Sequence, residues 1–127
     1  MHEVIENVKQ AVIVRNDVQL KKSELISYVS AAMMKFLIEN NESERDNQII
    51  VNLSDDETSW LSGSTSLDIL SVNSGDRLEY IKFKSEILGI ETNPIFSKTM
   101  PEEMICLAIG PAKNKVIDKI THGLKSI

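Results

Sequence analysis

A chain of 127 residues with 42% hydrophobic and 26% charged side chains has the make-up of one globular domain, 1–127, built on a single core. Its 19 acidic residues outnumber its 14 basic ones, and the formal net charge of −5 argues against a nucleic-acid binder that works through overall charge, although the distribution of charge outweighs its sum. No apolar stretch approaches the roughly 20 residues needed to span a bilayer. Met1–Glu6 lacks the basic and apolar regions of a secretion leader, and the lone Cys106 has no partner for an internal disulfide. A reducing cytoplasm is the expectation, with no membrane association.

In chain order, residues 8–16 read as the first strand: β-branched, continuously apolar and bounded by charge, as for a strand buried on both faces. Ser23 is expected to cap a helix to about Glu39, with Leu25, Val29, Met33, Phe36 and Leu37 on one face. Asn40–Asn47 reads as a solvated loop and Gln48–Leu53 as a short second strand. Ser54–Thr65, rich in Ser, Asp and Thr around Trp60, reads as a long loop of the functional or mobile kind. Leu67–Val72 is a further strand, after which Ser74 caps a helix over Gly75–Leu88 that stops at Gly89. Ile90–Phe96 is a strand interrupted by Pro94 and so an edge or irregular strand. Met104–Ile109 is the last strand and Ala112–Leu124 the last helix, with Val116, Ile117, Ile120 and Leu124 inward. The alternation predicts an α/β fold, a three-layer sandwich whose small mixed β-sheet is flanked by helices.

Three blocks, in order, carry a resemblance. Val12-Ile13-Val14-Arg15-Asn16-Asp17 resembles a strand ending in Val-Val-Arg-x-Asp-Leu. Ser74–Ile90 resembles a helix of the type Ser-Glu-Glu-Glu-Leu…Ala-x-x-Ala-Gly-Leu. Ile109-Gly110-Pro111 with Ile117-Asp118-Lys119-Ile120-Thr121 resembles Gly-Ile-Gly-Pro…Ile-Asp-Lys-Val-Thr-Gly-His-Leu-Lys, with His122-Gly123 exchanged. All three belong to the type 2 peptidyl-tRNA hydrolases. The family's Gly-Lys-Gly-Lys turn is replaced here by Leu20-Lys21-Lys22-Ser23-Glu24, its helical glutamine by Tyr28 and its histidine by Ala31. Its Arg-Asp-Ala-Gly-Arg-Thr-Gln loop is shortened to Phe96-Ser97-Lys98-Thr99, where the aspartate has no counterpart. Functionally unassigned proteins on the same fold share the Gly-Pro ending and an Ile-Ile-Asn-Leu-like strand, which Ile49-Ile50-Val51-Asn52-Leu53 resembles.

The resemblance implies a carboxylic ester hydrolase acting on peptidyl- or aminoacyl-tRNA, with activity reduced or lost because an imidazole and a carboxylate are missing. Lys22 would polarise the scissile group, with Asp17 and Thr99 orienting water or substrate. Arg15, Lys21 and Lys98 would bind substrate; Lys21 and Lys22 stand at a helix start, where the dipole disfavours cations and phosphate contact is the obvious use. Arg15 and Asp17 also fit a purely structural turn. A hydroxyl beside a lysine, as in Ser97-Lys98-Thr99, suits acyl transfer only if a base is supplied. The widely spaced His and Cys residues give no metal-ligand pattern, and no cofactor is implied.

The alternative is a non-catalytic binding module that uses the same cleft for a small molecule or protein partner, with the Trp60 segment as lid. On the central helix, Leu78, Ile81, Ser85 and Leu88 form the sheet-facing stripe. Tyr80, Phe83 and Ile87 form a second apolar stripe about opposite, which calls for a homodimer interface or for cover by the Trp60 segment.

Overall fold

The computed structural model describes residues 7–45, 47–63 and 65–127, the side chains of 41–45 excepted. The leader reading of Met1–Glu6 and the placement of Asp46 lie outside the described residues. Strand β1 (Val8–Arg15) is the apolar run read from the sequence, and it sits at the centre of a five-stranded mixed sheet. The order is β5-β6-β1-β4-β7, formed by β4 (Leu67–Val72), β5 (Thr92–Phe96), β6 (Met104–Lys113) and β7 (Lys125–Ser126). β1 runs parallel to β4, with Val12 opposite Ile69, and antiparallel to β6, with Ile13 opposite Leu107. The opening and closing apolar segments therefore lie side by side. Pro94 falls on the edge strand β5, where a missing N–H costs no ladder bond to a further strand.

Residues alternate across the pleat and so build two apolar faces. On one, Ala11, Ile13, Leu107 and Ile109 pack with Leu78 and Ile81 of helix α3 (Gly75–Ile87) and with Ile117 and Ile120 of α4 (Asn114–Thr121). On the other, Val12, Val14, Cys106 and Ala108 pack with Tyr28, Val29 and Ala32 of α1 (Lys22–Glu39). Helix α2 (Asp55–Ser62) joins this second side through Trp60, which is only 4% exposed. Its ring meets Phe36 edge-on at 5.9 Å, and its indole N–H donates to the Ser66 carbonyl at 2.7 Å. The result is the three-layer sandwich expected from the sequence.

Several local expectations are corrected. Helix α1 starts one residue before Ser23: Lys21 occupies the cap position, and its backbone N–H donates to the Glu24 carboxylate at 3.2 Å. The Asn40–Asn47 segment is no loop. It forms β2 (Asn41–Arg45), which pairs with β3 (Gln48–Val51) in a separate two-stranded sheet and turns through Asn47 at a φ of +63°. The polar segment satisfies the backbone of Ile49–Val51, a task that needs no apolar side chain. Ser54–Thr65 is likewise mainly helix. The Ser54 hydroxyl accepts from the Glu57 N–H at 3.1 Å and the Glu57 carboxylate accepts from the Ser54 N–H at 2.8 Å, a reciprocal cap written in Ser54-x-x-Glu57.

At the chain's end β6 continues past Ile109 through the cis Gly110–Pro111 bond to Lys113, so α4 begins only at Asn114 and Leu124 follows it. Gly110 holds a φ of +87°, and a Cβ there would meet the Ala112 nitrogen at 2.8 Å and the Lys9 carbonyl at 3.1 Å; only glycine fits. β7 adds a short strand that the sequence pattern did not announce. On α3, Leu88 lies beyond the last helical residue and is exposed rather than sheet-facing. Trp60 packs on the side of the sheet opposite α3, so it does not cover Tyr80, Phe83 and Ile87, which stand 62%, 62% and 67% exposed.

Candidate functional site

Where β1 ends, Arg15 locks three segments together. Its Nε and Nη2 donate to the two oxygens of Asp17 at 3.0 and 2.9 Å, and its Nη1 donates to Glu103 at 2.6 Å and to the Met104 carbonyl at 3.3 Å. The guanidinium lies against Gly75 at the start of α3, where a Cβ would come within 3.1 Å of Nη1. These hydrogen bonds, first from Asp17 and then from Glu103, hold Arg15 protonated, and in return the guanidinium holds the Asp17 carboxyl below its usual range. Asp17 is thus committed to a two-pronged ion pair that ties the β1 exit to the β6 entry.

Beside this lock a cleft of about 410 Å³ opens between the first turns of α1 and the loop joining β5 to β6. Ser23, Glu24, Ser27 and Tyr28 line it from the helix and Ser97, Lys98 and Thr99 from the loop, over a floor that includes Val18, Leu20 and Ile105. The loop is rigidified by its own chemistry. The Ser97 hydroxyl accepts from the N–H groups of Thr99 and Met100 at 3.2 and 3.1 Å and lies 3.1 Å from the Thr99 hydroxyl. Across the cleft the Lys98 N–H donates to the Tyr28 hydroxyl at 3.2 Å, and the Lys98 ammonium stands 5.9 Å from the Tyr28 ring centre, within cation–π range. Tyr28 thereby fixes the loop that carries Lys98 and Thr99.

Of the residues singled out in the sequence, Lys98 and Thr99 line this cleft. Lys21 and Lys22 are exposed at the α1 start, adjacent in sequence to the cleft-lining Ser23 and Glu24, while Arg15 and Asp17 form the lock behind it. Tyr80, Phe83 and Ile87 belong to the far layer on α3. Sequence reasoning noted Tyr28 and Glu24 only as departures from the family. Their spacing of four residues, with Ser23 and Ser27 offset by one, is the signal that puts them on one helix face. Cys106 is buried, and burial pushes its thiol up to about 12, so it offers no thiolate nucleophile. Among the described residues no group of three or more His, Cys, Asp or Glu side chains is placed to hold a metal, and no helix is long and apolar enough to cross a membrane.

Comparison with known proteins bears on the whole of this architecture. The family model described as Peptidyl-tRNA hydrolase PTH2 matches residues 8–127. A protein named peptidyl-tRNA hydrolase from Saccharolobus islandicus is 27% identical over 124 residues, spanning 93% of this chain and 98% of the relative. One of the same name from Methanocaldococcus jannaschii is 27% identical over 122 residues, with the same coverage of both chains. The matched span takes in the β1 exit, the α1 start and the β5–β6 loop, the segments that make the cleft, and the chain belongs to the peptidyl-tRNA hydrolase PTH2 family.

Proposed function

We propose that this chain is a divergent hydrolase of the ester joining a peptidyl or aminoacyl group to tRNA, acting in the cytoplasm with slow turnover. The observation that carries the reading is the convergence of the α1 start and the Ser97–Thr99 loop on one cleft, within a chain matched by the family over residues 8–127. In this reading water attacks the ester carbonyl carbon, and the charge that builds on the carbonyl oxygen is met by Lys22 and Lys98 and by the positive end of α1. Thr99 orients the water. Asp17, held by Arg15, fixes the turn from which α1 departs. Glu24, a carboxylate residue lining the cleft, accepts the water's proton and passes it to the ribose oxygen as the acyl C–O bond breaks. Tyr28 and Ala31 stand where the resemblance expects glutamine and histidine, and the want of an imidazole lowers the rate by about 10²–10⁴-fold.

Lys21 and Lys22 are the cations we assign to the substrate's phosphates at the cleft mouth. The exposed stripe Tyr80, Phe83 and Ile87 is assigned to a homodimer contact, because an apolar helix face of that kind is uncommon on a monomer. The test of function is incubation of the purified protein with diacetyl-lysyl-tRNA beside Lys22→Ala: Lys22-dependent deacylation supports the hydrolase. Release no faster than the spontaneous background overturns it in favour of a binding module using the same cleft, a reading supported by the acidic net charge.

A further inference from the structure

The cleft shares its rim with a second concavity. Leu20 belongs both to the cleft and to a neighbouring hollow lined by Asn16 and Ser71, and those two residues in turn line a cavity of about 210 Å³ at the β4–α3 turn. Asn73, Arg77 and Lys125 complete the polar wall of that cavity. Among the described residues neither the Arg77 guanidinium nor the Lys125 ammonium has a carboxylate partner. Arg77 and Lys84 are seven residues apart and share the flank of α3 that faces α4, where the Lys84 ammonium donates to the Lys119 carbonyl at 3.1 Å. Around a further open hollow Lys84 is joined by Lys115 and Lys119 of α4. Asp118, the acidic residue in the lining of that hollow, meets the Lys9 ammonium at 2.5 Å and shares it with Asp68 at 2.7 Å. A chain with a net charge of −5 thus gathers Arg77, Lys84, Lys115, Lys119 and Lys125 along one face, and the cavity at its β4–α3 end adjoins the cleft through Asn16, Ser71 and Leu20.

We propose that this α3–α4 face binds the phosphodiester backbone of the tRNA, with one phosphate seated in the Arg77–Lys125 cavity while the esterified 3′ end lies in the cleft. The proposal rests on the hydrolase reading for the identity of the ligand, and deepens it by assigning the surface that holds the nucleic acid. The residues lining the cavity include the types a phosphate takes: an arginine, a lysine and the two asparagines Asn16 and Asn73. The Tyr80 stripe points about 40–120° away from Arg77 and Lys84 around α3, so RNA binding on this flank leaves most of the apolar face free.

The test is binding of fluorescein-labelled, deacylated tRNA over a salt series from about 50 to about 300 mM, which requires no catalysis. Wild-type affinity is expected to fall steeply with salt. Arg77→Ala/Lys125→Ala and Lys115→Ala/Lys119→Ala are each expected to weaken binding on the order of tenfold and to flatten the salt slope by about 1.5. Lys82→Ala removes the same kind of charge from a different flank, where it pairs with Glu86, and is expected to change binding less than about twofold. Loss of affinity with Lys82→Ala equal to that in the double variants, unchanged slopes in the double variants, or no binding by the wild type overturns the proposal. Arg77-dependent binding by a protein that releases no amino acid from diacetyl-lysyl-tRNA supports this face while overturning the hydrolase. Hydrolysis with KM unchanged in both double variants overturns the face while sparing the hydrolase.

Discussion

Arg15 decides how the β1 exit is held. One guanidinium satisfies Asp17, Glu103 and the Met104 carbonyl, and it is largely shielded from solvent while its two carboxylate partners are about a third or more exposed. Replacing it leaves two carboxylates facing each other without a cation. Arg15→Met is therefore expected to cost about 2 kcal/mol, less than a fully buried pair because solvent screens the partners, and to lower the melting temperature on the order of 5 °C. Asp17→Asn, which removes one charge but keeps a hydrogen-bonding group, is expected to cost less, and calorimetry of the two variants checks the order. The Asp17 carboxyl titrates below its usual range, so its share of stability is present above that range and is lost as the pH falls through the depressed value. Both the ligand-holding and the structural readings of Arg15 and Asp17 were open from the sequence, since charge at a strand exit serves either. The structural side of the pair rests in part on Glu103, eighty-eight positions away, and no local pattern announces such a partner.

At the scale of the element, α2 and the β2–β3 hairpin show where a sequence reading runs short. Strands β1, β4, β5 and β6 of the main sheet and helices α1 and α3 were legible because a buried face imposes periodicity on the residues, which the two exposed residues of β7 lack. Helix α2 has just Glu57 and Trp60 buried, too few to set up a period, and its signal lay in the reciprocal cap Ser54-x-x-Glu57. The hairpin stands apart from the main sheet with Ile49 and Ile50 exposed, so it shows no one-sided pattern either. What anchors α2 is polar. Asn40, at the end of α1, donates through Nδ2 to Glu57 at 3.1 Å and to Glu91 at 3.4 Å. Burial, then the neighbouring Glu57 carboxyl and the Glu39 charge, push Glu91 up to about 7 against the opposing Asn40 hydrogen bond. Its folded value is raised, so the folded protein holds more protons than the unfolded chain between the ordinary carboxylate range and about pH 7. Its stabilising contribution is complete below that range and declines as the pH rises to about 7. Melting temperature is accordingly expected to drop from pH 5 to pH 8, and Glu91→Gln, which cannot ionise, is expected to flatten the drop. Trp60, the chain's single tryptophan and part of α2, reports the same change by fluorescence. An equally steep profile in Glu91→Gln would show that another group is responsible.

For the molecule as a whole, neighbouring strands β1 and β6 bring the α1 start and the β5–β6 loop to one end, and this placement makes a cleft out of residues some seventy positions apart. That much followed from two apolar runs and three family-like blocks. The lining from Ser23 through Tyr28 was not read as a site, because a helix face becomes a wall only once the opposite loop is in place. The outer stripe of α3 faces solvent in the single chain, and its apolar side chains are expected to be covered by a second copy. Light scattering should give twice the chain mass for the wild type and the single-chain mass for Tyr80→Glu/Phe83→Glu; a monomer in both cases removes the dimer.

The claim on which the rest depends is that the cleft between α1 and the Ser97–Thr99 loop hydrolyses the tRNA ester. The most direct measurement is the single-turnover rate of diacetyl-lysine release from its tRNA by the wild type, Lys98→Ala and Thr99→Val. Release above the spontaneous rate in the wild type, slowed on the order of ten- to a hundredfold in each variant, is the expected result. Release at the spontaneous rate in all three proteins, or an enzymatic rate that neither substitution alters, would contradict it.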